Sequence, residues 1–292
     1  MIILNKISSD VEFRNTDYFT NMNKDELDYR IKSIHNYYPE LSMINDIRTL
    51  YTKLTDDFTE EEMEAIKYYH NIVSYTFKTK LPLLCPNTKE VKYIKLKKNI
   101  DWNYPYTINH CIVLPVVFLK SMVSSFNYIK PVRSDAVWNL VRPNYKIINK
   151  IACTICHEMI HITQRYKLFS ELEEIYTNVW GFEKHSYKTK NGVITNPDGK
   201  NGEWSVIIEG KRYFPILVLV NDEPIGGLID SITGVIYDFP DSYIRRFNGF
   251  RDQLYHPNEI FANLVSRYII HGNMFIPNWN SSPFYYSLNK FV

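Results

Sequence analysis

The chain has 292 residues, 45% of them hydrophobic and 23% charged, which is enough apolar material for a large buried core and excludes a disordered or fibrous chain. Its 34 Lys and Arg against 32 Asp and Glu leave a formal charge of +2, and it has only four Cys. That balance excludes the strongly basic character of a dedicated nucleic-acid binder, and the cysteine count excludes a disulfide scaffold.

The N-terminal part reads as helices, with helix-like apolar spacing from Lys24 to Tyr37 and from Met43 to Leu54. Thr59 followed by Glu62 is a capping box that opens a helix through about Thr79, ended by Pro82. Strands are expected from Val91 to Leu96 and near Thr107 to Leu114. Lys89, Lys92, Lys95, Lys97 and Lys98 crowd the first of these. They read as an edge strand whose lysines discourage aggregation, in preference to a nucleic-acid patch. The most apolar run, Cys111 to Leu119, is far too short to span a bilayer and contains Pro115. It reads as a buried strand or helix start.

Pro143 and Asn144 precede a long helical segment from Tyr145 to about Leu168. Ser170 with Glu173 forms a second capping box, and Gly181 suits the end of that helix. All 10 Gly stand at or after Gly181, so the chain changes character there. Asn191-Gly192, Asp198-Gly199 and Asn201-Gly202 are turn dipeptides. Short strands are expected at Trp204 to Ile208, Tyr213 to Val220, Gly227 to Ile232 and Gly234 to Phe239. Pro257 opens a last helix to about His271, with Gly272 just past its end.

One motif carries chemistry. His157-Glu158-Met159-Ile160-His161 is HExxH. On a helix, residues four apart project from one face, so the two imidazoles can grip one Zn²⁺. Glu158 stands beside the metal without binding it and can take a proton from water. Ile147, Ile148, Ile151, Ile155, Ile160 and Ile162 make this helix apolar nearly all round, which predicts burial. Buried His and Glu need partners, and a metal supplies them. A catalytic zinc takes a third protein ligand. Glu171, Glu173, Glu174 and His185 are near in sequence, and Glu259 is farther away. The metzincin extension is excluded, because its offsets hold Gln164 and Lys167.

HExxH followed downstream by Asn258-Glu259-Ile260-Phe261-Ala262-Asn263 resembles the gluzincins, the thermolysin-like zinc peptidases. The likeness covers only these two short segments. It implies that Glu259 is the third ligand, on a second helix, and that Asn263 steadies a ligand His, although Asn stands where the family more often has Asp. His185 is the alternative third ligand. A transition-state donor outside the motifs is also implied; His271 is a candidate, while His256 and Tyr268 read as structural.

The expectation is therefore an α+β fold with a zincin-like core. An N-terminal helical region would cover 1–90 and a catalytic domain 91–292, with a strand-rich insertion at about 186–240. The expected activity is zinc-dependent hydrolysis of peptide bonds, with one Zn²⁺ per chain and a peptide or protein substrate. The alternative is an inactive zincin-like binding or structural protein. Cys153-Thr154-Ile155-Cys156-His157 also matches the CxxCH haem attachment motif, but no signal peptide is expected with it, and the cysteines read as buried helix residues. With no membrane span expected, the location expected is intracellular and cytoplasmic.

Overall fold

The computed structural model describes residues 12–13, 19, 44–87, 91–97, 100–129, 145–166, 169–185, 193–194, 204–221, 223–247, 249–272 and 282–292. The helix expected from Lys24 to Tyr37, Lys89, Lys98 and the three turn dipeptides lie outside these residues. Among the described residues the fold is α+β, with two sheets and eight α-helices. No described helix is long and apolar enough to cross a membrane.

The first sheet is built from β1 (Glu12–Phe13), β2 (Thr55–Asp56), β3 (Lys92–Leu96), β4 (Tyr106–Ile108) and β5 (Cys111–Pro115). Its order is β1-β3-β5-β4, with β2 also pairing with β3. β3 and β5 are parallel, whereas β4 and β5 form an antiparallel hairpin with Thr107 opposite Ile112. Alternation divides the side chains between two cores. Tyr93, Ile112 and Leu114 enter the larger one, while Ile94, Leu96, Cys111 and Val113 enter a smaller one with Ile47 and Tyr51 of α1 (Ile44–Leu54).

On the larger-core side lie α2 (Glu60–Lys80), α3 (Val116–Ile129) and α4 (Tyr145–Tyr166). The α2 capping box forms as expected, with the Glu62 amide donating to the Thr59 hydroxyl at 3.2 Å and the Thr59 amide donating to the Glu62 carboxylate at 2.8 Å. Helix α4 is buried on almost every side from Ile151 to Gln164. The apolar run from Cys111 splits between β5 and the start of α3.

Next come the short α5 (Phe169–Glu174) and a π-helical turn, Ile175–Val179. Gly181, at φ +71°, ends this segment, and its N–H reaches the Thr177 carbonyl at 3.1 Å. The Ser170 capping box does not form. Ser170 lies inside α5, and its hydroxyl donates to Glu171 at 2.7 Å.

The second sheet joins β6 (Phe182–Lys184), β7 (Val193–Ile194), β8 (Trp204–Ile208), β9 (Lys211–Val220), β10 (Glu223–Asp230) and β11 (Ile236–Tyr237). Its order is β11-β10-β9-β8-β6, with β7 paired to β9. The last expected strand is thus shorter than the Gly234–Phe239 pattern suggests. After α6 (Asp241–Ile244), α7 (Pro257–His271) ends at Gly272 with φ +72°, and α8 (Pro283–Leu288) closes the chain.

One expectation meets a different arrangement. β3 is not an edge strand, because it pairs with β5 on one side and with β1 and β2 on the other. Lys95 is buried in it and donates to Glu62 of α2 at 2.8 Å and to the Asp57 carbonyl at 3.1 Å. Elements on either side of residue 90 also share one sheet and one core. β2 pairs with β3, and Ala65, Tyr69 and Phe77 of α2 pack with Ile155 and Met159 of α4.

Candidate metal centre

Helices α4 and α7 pack antiparallel. Asn149 Nδ2 lies 3.3 Å from His271 Nδ1 at one end, and His157 Nε2 lies 3.1 Å from Glu259 Oε2 at the other. The four-residue spacing of His157 and His161 places their rings on one face of α4, edge to face at 4.5 Å between centroids. Pro257 at the first turn of α7 suits a helix start, and Glu259 follows it within that turn. The His256 imidazole caps the helix: its Nδ1 accepts the Asn258 N–H at 3.1 Å. Burial pushes its pKa down to about 4, which keeps that nitrogen an acceptor at neutral pH.

Three ligand atoms therefore converge. His161 Nε2 lies 2.9 Å from His157 Nε2 and 3.5 Å from Glu259 Oε2, and all three residues are buried. Donors bound at about 2.05 Å around a tetrahedral ion stand about 3.3 Å apart. The observed separations bracket that value, so this group can hold a metal ion. Among the described residues it is the one group of three His, Cys, Asp or Glu side chains with this convergence. Burial alone would raise the Glu259 carboxyl, but the imidazoles of His161 and His157 outweigh it and hold its pKa well below the usual carboxylate range.

The hydrogen bonds around His161 define its tautomer. Gln164 approaches the Asn258 carbonyl at 2.9 Å and the Tyr176 hydroxyl at 3.2 Å through Nε2. A carbonyl only accepts, so Nε2 must be the atom facing it. Gln164 Oε1 then faces His161 Nδ1 at 2.7 Å. Nδ1 therefore donates this bond, and Nε2 is the ring atom turned toward His157 and Glu259. The π-helical turn places Tyr176 in this network, stacked on Trp180 at a centroid distance of 5.5 Å.

Glu158 stands outside the ligand group and is buried. Thr107 of β4 donates its hydroxyl to Glu158 Oε2 at 2.7 Å and to the Glu158 carbonyl at 2.9 Å, two acceptors sharing one proton. Arg165 of α4 donates to the Thr107 carbonyl at 2.8 Å.

The other sequence candidates go elsewhere. His185 is exposed and stacks on Phe214 at 5.7 Å. Glu171 accepts from Ser170, Glu173 pairs with Lys184, and Glu174 pairs with Lys290. The Asn263 amide donates to Gln253 at 2.9 Å and accepts from Arg267 at 3.2 Å. His271 lies at the far end of α7, about 18 Å along the helix axis from Glu259 at 1.5 Å per residue, against Asn149 and Cys153. The structure does not bring it to the ligand group. Cys156 is fully buried, and the Cys153 thiol lies 3.3 Å from His271 Nε2.

Sequence reasoning missed Thr107 and Tyr176, and it used Gln164 only to exclude a family. Gln164 was within reach, because residues three apart on a helix are neighbours. Thr107 carries no such signal. No protein-family model matches the chain, and no curated protein or solved structure does either.

Proposed function

We propose that the chain is a zinc-dependent metallopeptidase of gluzincin type, with a zincin-like core formed by the first sheet, α4 and α7. The convergence of His157 Nε2, His161 Nε2 and Glu259 Oε2 carries this reading. Two imidazoles and one carboxylate, buried and oriented, suit a borderline-soft ion such as zinc. Zinc bound there supplies Lewis-acid polarisation of a peptide carbonyl and eases deprotonation of water. Glu158 accepts the proton of the attacking water and returns it to the leaving amine.

The position of β4 suits an extended peptide. Among the described residues β4 ends the sheet order, and the hairpin register turns the Thr107 main chain away from β5. A substrate strand pairing along that edge would meet the Thr107 N–H, beside a carbonyl that already accepts from Arg165.

A fluorogenic peptide library assayed with zinc-loaded protein tests this reading. Wild type should cleave members of the library. Glu158→Gln should keep the fold and the zinc but lose about a hundredfold or more in hydrolysis, because an amide cannot take the proton. Zinc-loaded wild type that cleaves nothing would contradict the peptidase reading and favour a zincin-like binding or structural protein. Undiminished cleavage by Glu158→Gln would contradict the assigned mechanism.

A further inference from the structure

We infer that Thr107 is a positioning residue for Glu158, an inference whose catalytic consequence rests on the peptidase reading above. The carboxylate of a glutamate turns about a broad, roughly two-fold terminal torsion, so a helix alone does not aim it. Here the aim comes from another element. The Thr107 hydroxyl meets Oε2 at 2.7 Å, the length of a charge-assisted bond, and meets the carbonyl of the same residue at 2.9 Å. One hydroxyl therefore references the carboxylate to the backbone of the helix that carries His157 and His161.

Both partners are buried, with Thr107 at 0% and Glu158 at 4% exposure, so water does not compete freely for the bond. The strand is fixed in turn. Tyr106 and Ile108 point into the smaller core, Thr107 alternates onto the face of α4, and Arg165 holds its carbonyl at 2.8 Å. A hydroxyl on a rigid strand is a better reference than one on a loop. Thr107 is not among the residues of the ligand group. It acts through Glu158.

The test compares Thr107→Val, which keeps shape and removes the hydroxyl, with Thr107→Ser, which keeps the hydroxyl. Crystal structures, chelator-competition zinc affinities and steady-state kinetics on one library peptide cleaved by wild type are measured for both. Thr107→Val should turn the Glu158 carboxylate out of its wild-type rotamer and leave zinc affinity unchanged. It should also lower kcat by about tenfold to a hundredfold at unchanged KM, the scale expected for misplacing a reacting group by about 1 Å. Thr107→Ser should restore rotamer and kcat.

A Thr107→Val protein whose Glu158 keeps the wild-type rotamer overturns the inference whether or not the enzyme is active. So does a loss of kcat that Ser fails to rescue, which would mark a purely packing role. A rotamer that moves as expected in a protein whose wild type cleaves nothing would sink the peptidase reading while leaving the positioning role of Thr107 standing.

Discussion

Gln164 settles the state of His161 by occupying both of its own amide ends. Its Nε2 is committed to the Asn258 carbonyl and the Tyr176 hydroxyl, so its Oε1 is left to accept from His161 Nδ1. Partners of ligand histidines are worth about tenfold to a hundredfold in metal affinity. Gln164→Leu should therefore weaken zinc binding by about that factor in a chelator competition. Asn263→Ala should weaken it less, because the Asn263 amide is spent on Gln253 and Arg267. Equal effects of the two changes would contradict this assignment. The difference between Gln164 and Thr107 shows what the sequence could reveal. Gln164 is three residues from His161, and helical periodicity alone makes them neighbours. Thr107 meets Glu158 across 51 residues of sequence, through a hairpin register that no local pattern encodes.

Helix boundaries were the most legible elements, because their signals are local. Thr59 with Glu62, Pro257 with Gly272, and Gly181 each mark an end in the expected place. The lysine run around β3 was misread, because charge spacing is the same for an edge strand and for an interior strand with a buried partner. Glu62 is that partner: one carboxylate oxygen accepts from the Thr59 amide and from Lys95 Nζ, each at 2.8 Å. Removing it leaves the buried ammonium with the Asp56 carboxylate, 3.8 Å away, as its nearest remaining anion, and breaks the Thr59 N–H half of the capping box. Breaking a buried pair in this way costs about 3 kcal/mol or more. Glu62→Ala should lower the unfolding free energy by about that amount in urea. Glu60→Ala, an exposed first-turn change, should cost less than about 1 kcal/mol. A Glu62→Ala effect as small as that of Glu60→Ala would show that the Asp57 carbonyl and the Asp56 carboxylate suffice to hold Lys95.

Across the whole molecule, the ligand group is assembled from parts far apart in the chain. His157 and His161 come from α4 and Glu259 from α7, with the second sheet lying between them in sequence. The α+β class and this intervening run of strands were legible from turn dipeptides and apolar spacing. The sharing of one sheet and one core across residue 90 was not, because β1 and β2 are two residues each and pair at long range. The convergence of three ligand atoms carries the whole functional account, and elemental analysis of purified, zinc-replete protein tests it most directly. Wild type and Glu158→Gln should each hold about one zinc per chain, and Glu259→Ala should lose most of it while His185→Ala retains it. Folded wild-type protein without a bound transition metal, or zinc kept by Glu259→Ala and released by His185→Ala, would contradict the account.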